Sequence, residues 1–171
     1  MNVLETIRLR RSVRRYKSDP VPDDILGRIL EAARLAPSAK NIQPWKFIVV
    51  RDPAKRAELA KAAFNQRYLA EAPLVVVACG LPGIAYPRQG GFLNSWPIDV
   101  AIAFEHLVLQ AADEGLGTCW IGAFDETAAR AVLGVPDDAR VMAMTPLGWP
   151  AESPPARGRK AMAEIVSYEK Y

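Results

Sequence analysis

Residues 97–113, PIDVAIAFEHLVLQAAD, restrict the fold more than any other stretch of this chain. Read as a helix, they carry Val100, Ile102, Phe104, Leu107, Val108, Ala111 and Ala112 around most of the circumference instead of along one stripe. A helix that is apolar nearly all round needs cover on all sides, from a core or from another subunit. A second segment, PLVVVACG at 73–80, makes the same demand as a strand, because its apolar residues do not alternate with polar ones. With 171 residues, half of them apolar, the chain can bury one core around these two elements, which predicts a single domain over 1–171.

The remaining pattern supplies helices and strands to surround them. A helix is expected from Val3 to Leu9 with Asn2 as its N-cap, and another from Pro22, placed in its first turn, carrying Ile25, Leu26, Ile29, Leu30 and Ala33. Pro37 disfavours helical geometry at Ala36 and stops that helix near Leu35. PSAKNIQP reads as a loop and WKFIVV as a strand. Asp52-Pro53 starts a helix running towards Phe64, and Asp125 caps one from Glu126 to Leu133. Residues 81–96 read as a surface loop, TCWIGAF as a short strand or extended turn, and VMAMTPLGWP as a further strand. The tail, RGRKAMAEIVSYEKY, is charged and then amphipathic, with no core of its own to join.

Several function classes are excluded. No apolar run reaches the length of a membrane span, and no signal-peptide core opens the chain, so no membrane association and a cytoplasmic location are expected. Cys79 and Cys119 sit far apart in apolar runs and read as buried thiols; with His106 as the one histidine they make no zinc site. His106 itself reads as a packed or interface residue. No glycine-rich phosphate loop follows the first strand, which argues against a Rossmann or P-loop site. The net charge of +3 is too mild to argue for nucleic acid.

Charge distribution says more. Arg8, Arg10, Arg11, Arg14 and Arg15 crowd into eight positions. Packing arginines together costs free energy unless an anion sits among them, and a phosphate monoester suits their paired donors, with the Ser12 hydroxyl adding a neutral bond. A solvated basic face is the competing account. Pro37, Ser38, Asn41 and Gln43 form a stiff loop of compact polar groups able to face a planar heterocycle, or else a plain connection. Ile121-Gly122-Ala123 end an apolar segment with a glycine that permits close backbone approach to a flat ligand, or that only makes a turn. Arg157 and Arg159 in the tail serve either an anion or solubility.

RRSVRRY, APSAKNIQPWKFIVV, ADEGLGTCWIGAFD, and LGWP followed by RGRK occur in one order and span nearly the whole chain. Together they resemble the nitroreductase family of FMN enzymes. That resemblance implies an α+β fold, a mainly antiparallel sheet flanked by helices, and an interwoven homodimer with FMN at the interface. It implies that Arg10, Arg11, Ser12 and Arg14 hold the flavin's phosphate, ribityl chain and pyrimidine edge, and that Arg159, with Arg157, completes the phosphate clamp. Pro37, Ser38, Asn41 and Gln43 match a loop that reaches the isoalloxazine from the partner subunit. Ile121, Gly122 and Ala123 match the turn beside flavin N5, and Asn65 resembles a polar contact to the ring. The activity so implied is two-electron transfer from NADH or NADPH to a nitroaromatic or quinone, with no acid or base side chain required. Three alternatives stay open at this point: a non-catalytic flavin sensor or FMN reservoir; a related flavin activity such as dehalogenation, enoate reduction or flavin fragmentation; and a small nucleic-acid-binding module using the arginines. The stretch between the strand at 75–79 and Pro97 is shorter than in larger members, so either the pocket is more open or this loop, with Tyr86, Arg88 and Phe92, alone covers it.

Overall fold

The computed structural model describes residues 2–171. In chain order its elements are α1 (Val3–Leu9), α2 (Asp23–Arg34), β1 (Trp45–Val50), α3 (Pro53–Ala62), α4 (Tyr68–Glu71), β2 (Leu74–Gly80), α5 (Trp96–Asp113), β3 (Gly117–Thr118), α6 (Glu126–Leu133), β4 (Arg140–Gly148) and α7 (Met162–Ile165). The strands form one sheet in the order β1-β2-β4-β3, and each pairing is antiparallel.

Strand alternation explains why β2 has no polar residue to show. Leu74, Val76 and Ala78 point to one face, into a cluster with α2 and α5, while Val75, Val77 and Cys79 point to the other, into a cluster with α3, α4 and α6. Both faces are covered, so every position of β2 is buried. β4 would repeat the pattern but carries a bulge: Ala78 pairs with Ala143 and Cys79 with Val141, skipping Met142. The extra residue switches sides, putting Val141 in one cluster and Ala143 in the other.

α5 crosses the first face. Val100, Phe104 and Leu107 are wholly buried, each worth about 1.5–3 kcal/mol of transfer free energy. Its other side is left half-covered at Ile98, Ile102, Glu105, His106 and Leu109. The all-round apolar pattern therefore finds only part of its cover within one chain.

Capping sets the helix starts. Asn2 and Glu5 bond each other's backbone N–H at α1, Asp52 accepts from Lys55 N at 2.9 Å, and Asp125 accepts from Ala128 N at 3.0 Å. Pro22 stands one residue outside α2 as its cap, not within the first turn. α3 ends at Ala62, short of Phe64, because Phe64 and Asn65 both adopt positive φ. The short α4 has no clear periodicity and was not expected.

The two ends of the chain are stitched together. Val13 N donates to Thr118 O at 2.8 Å, Lys17 N to Trp149 O at 2.9 Å, and Ala151 N to Arg15 O at 2.9 Å. The arginine-rich segment after α1 thus runs between β3 and the chain leaving β4. α7 and its flanks remain exposed, including Met162, Ile165 and Tyr168. No helix among the described residues is long and apolar enough to cross a membrane.

Candidate functional site

Stitching the termini creates a cleft of about 430 Å³. Arg8, Arg10, Arg11 and Arg14 line it from the N-terminal side with Ser12, and Arg157 and Arg159 from the C-terminal side, with residues 154–156 as the far wall. None of the described residues lining it is acidic. Six arginines line one concavity with no acidic residue in the lining, a charge arrangement suited to an anion. Glu152, outside the lining, accepts the Arg14 backbone N–H at 2.6 Å. Arg11 donates to the carbonyls of Arg8 and Arg10, at 2.5 and 2.9 Å, which folds its own segment into a tight arc.

Arg14 links this cleft to a second cluster. Its guanidinium lies 6.0 Å from the centre of the Tyr68 ring, and Cys119 is close by. The nearby Cys119 sulfur, burial and the Tyr68 hydroxyl all act on Arg14, and the balance holds its pKa above the ordinary value. Tyr68 is raised chiefly by burial, so its hydroxyl stays protonated at neutral pH. Gln66 follows, donating from Nε2 to Ala123 O at 3.1 Å. This places the turn at 121–123 beside the loop that carries Asn65. Ile121 is anchored by reciprocal bonds with Met144, at 2.9 and 3.1 Å, whereas Gly122 and Ala123 are exposed.

Gly122 is informative because the fold does not need it. Its φ is not in the left-handed region, and a Cβ there would meet nothing within 4 Å. Gly117 differs: a Cβ there would lie 2.9 Å from Val13 Cβ.

The loop with Pro37, Ser38, Asn41 and Gln43 is built at the opposite end of α5. Lys40, Asn41 and Gln43 have φ of 53°, 56° and 55°, a concentration of left-handed backbone that non-glycine residues adopt only when held. Ser38 Oγ accepts from Gln43 N at 2.9 Å, and Gln43 Nε2 donates to Asn41 O at 2.9 Å. The buried Asp99 supports the loop from below, accepting Ala39 N at 3.0 Å on one oxygen and Ser95 Oγ at 2.6 Å on the other. Lys40 Nζ lies 5.0 Å from the Tyr86 ring, tying the loop to residues 81–95. The C-terminal end of α5 meets α1, where Thr6 donates to Asp113 at 3.4 Å. Eighteen residues of helix at about 1.5 Å each span roughly 27 Å, so one chain does not bring Pro37, Ser38, Asn41 and Gln43 to the arginine cleft.

A family model described as the nitroreductase family matches residues 7–81 and 64–149, which include the arginine segment, the 37–43 loop and the 121–123 turn. The chain belongs to the nitroreductase family. It is 37% identical to an NADH dehydrogenase of Thermus thermophilus, over 92% of this chain and 91% of that protein. Among solved structures, a nitroreductase family protein from Clostridium difficile 630 superposes with a TM-score of 0.91 at 29% identity, covering 100% of both chains. An NADPH:FMN oxidoreductase from Vibrio harveyi, complexed with NAD+, gives a TM-score of 0.89 at 27% identity over 100% of this chain and 78% of that one. The α+β nitroreductase fold, with its antiparallel sheet between helical layers, is the fold of this protein.

Sequence reasoning singled out both arginine groups, which the structure brings to one cleft, and the stiff loop and the 121–123 turn, which it places elsewhere. It missed Gln66, Tyr68, Ser95, Asp99 and Glu152. Asp99 left one trace, a carboxylate in the first turn of a largely apolar helix; the other four left none.

Proposed function

We propose that the protein is an FMN-dependent oxidoreductase taking two electrons from NADH or NADPH to a small organic acceptor such as a nitroaromatic or quinone. The acid-free cleft of six arginines carries this reading. The cofactor phosphate brings about two negative charges, and Arg10, Arg11, Ser12, Arg157 and Arg159 would surround it. Arg14, leading from the cleft towards Tyr68, would meet the pyrimidine edge and favour negative charge there. The open space over Gly122 fits a planar ring lying against the backbone of Ile121, Gly122 and Ala123, with Asn65 at its margin. When bound, FMN supplies the hydride and electron chemistry; the chain supplies binding, orientation and electrostatics.

The loop of Pro37, Ser38, Asn41 and Gln43 completes the site from the partner in a homodimer. Three observations favour that dimer: the half-covered side of α5, the exposed apolar residues Val3, Leu4, Ile7 and Leu9 on α1, and the exposed amphipathic tail with Met162, Ile165 and Tyr168. The names of the relatives point the same way chemically, one being an NADH dehydrogenase and another an NADPH:FMN oxidoreductase.

The test is the absorbance spectrum of the purified protein. Flavin bands, released as FMN on denaturation, together with oxidation of NADH or NADPH in the presence of a quinone, are expected. A protein that stays colourless after incubation with FMN refutes the proposal.

A further inference from the structure

Three segments assigned above to the cofactor are joined by two side chains outside that assignment. The Arg14 guanidinium lies over the Tyr68 ring, 6.0 Å from its centre, and that ring carries a hydroxyl. That hydroxyl donates to Gln66 Oε1, and Gln66 Nε2 donates to Ala123 O at 3.1 Å. A glutamine head offers an acceptor and a donor on one rigid plane, and its two partners here require one of each. The amide orientation is therefore set by the network. Both side chains are half-buried, where bonds in series strengthen one another. Gln66 reaches this position because Phe64 and Asn65, with φ of 55° and 63°, reverse the chain after α3. Left-handed backbone at two adjacent non-glycine residues is retained only where surrounding contacts hold it.

We propose that Gln66 and Tyr68 are positioning residues, a polar relay that locks the 121–123 turn to Arg14 so that the two ends of the ring site move as one. The proposal rests on the flavin reading for its purpose, but the relay itself is a property of the chain without cofactor. Its consequence is that a change at the Tyr68 hydroxyl is felt at Ala123, which Tyr68 does not bond.

Two substitutions separate the links. Gln66→Glu keeps an acceptor for Tyr68 but sets a carboxylate against the Ala123 carbonyl. Tyr68→Phe removes the hydroxyl and leaves the Gln66–Ala123 bond chemically possible. The readout is amide hydrogen exchange in cofactor-free protein at Ile121 and Asp125, which flank the turn and bond Met144 O and Ala62 O at 2.9 and 2.8 Å. The paired core positions Val76 and Thr145 serve as the internal reference for global opening.

Loss of one net hydrogen bond predicts exchange roughly threefold to tenfold faster at Ile121 and Asp125 in each variant, with the reference unchanged. The double variant should be no faster than the faster single, because members of one network do not add. With FMN bound, the single-turnover rate of reduction by the nicotinamide should fall while its KM holds. Unchanged exchange at Ile121 and Asp125 in Tyr68→Phe, or effects that add in the double variant, would overturn the relay. A wild-type protein that takes up no FMN would defeat the flavin reading alone, with the exchange data still deciding the relay.

Discussion

Gly117→Ala tests how the arginine segment is held. A Cβ at 117 would lie 2.9 Å from Val13 Cβ and 3.0 and 3.1 Å from its two γ-carbons. Rotating the valine gives no relief, because the Cβ does not move with χ1. The backbone must yield instead, and it is fastened by Val13 N to Thr118 O at 2.8 Å and Arg14 N to Glu152 at 2.6 Å. Overpacking of this kind costs about 1–3 kcal/mol, against about 0.4–1 kcal/mol recovered by restricting the unfolded chain. A net loss of about 1.5 kcal/mol corresponds to a fall of ~3–6 °C in Tm for a chain of this size. The measurement is thermal unfolding by circular dichroism of cofactor-free protein at fixed concentration, with Gly122→Ala as the control. A methyl at 122 meets nothing, so the control should match the wild type or exceed it slightly. Because Ser12 and Arg14 flank Val13, the Gly117 variant should also bind FMN more weakly. A Tm at or above wild type for Gly117→Ala, or an equal drop for the control, would refute the reasoning from Cβ space.

Arg14→Ala should weaken FMN binding by roughly tenfold to a hundredfold, as expected for a lost charge-assisted bond, and lower the flavin midpoint potential; fluorescence titration and spectroelectrochemistry measure the two. Gly122→Ala should fold normally yet slow flavin reduction by the nicotinamide, which stopped-flow absorbance would detect. Burial pushes the Cys79 thiol up to about 11 from an ordinary 9.0. In the alkaline window between these values the unfolded chain has lost its thiol proton and the folded chain has not. Stability is therefore intact below the lower value and falls as pH rises, by up to roughly 3 kcal/mol. Urea unfolding across that window should show the slope, flattened in Cys79→Ala. Deleting residues 160–171 should convert a dimer of 18.8 kDa chains to monomer in light scattering, while leaving Arg157 and Arg159 in place.

Local signals in the sequence specified most of the fold because each had one physical solution. Asp52-Pro53 and Asp125 are caps whose partners lie three residues on, so both helix starts follow from neighbouring residues alone. The unbroken apolar run of β2 required cover on two faces and received it. The β4 bulge at Met142 had no such signal, since it is set by the partner strand. The site divides the same way. Arginines crowded in sequence mark one wall of the cleft from the sequence alone. Gln66 and Tyr68 act only through Arg14 and Ala123, which are distant in the chain, so nothing in their own surroundings announced them.

The placement of the site follows from what α5 leaves open. Its two ends carry the two groups assigned to one cofactor: the arginine segment packs with α1 near Asp113, and the stiff loop rests on Asp99. About 21 Å of helix lies between Asp99 and Asp113, farther than any side chain reaches. Yet both groups are pre-organised at a cost in free energy, six guanidiniums without a carboxylate at one end and three left-handed residues on a buried aspartate at the other. Strained or self-repelling groups of this kind are retained where a ligand relieves them. In the proposed dimer, a second copy packed on the half-covered side of α5 would supply the cover that side lacks. A dimer therefore answers two separate deficits of the single chain, its uncovered helix and its divided site. A monomer in solution with full FMN affinity would show that the loop has no part in binding.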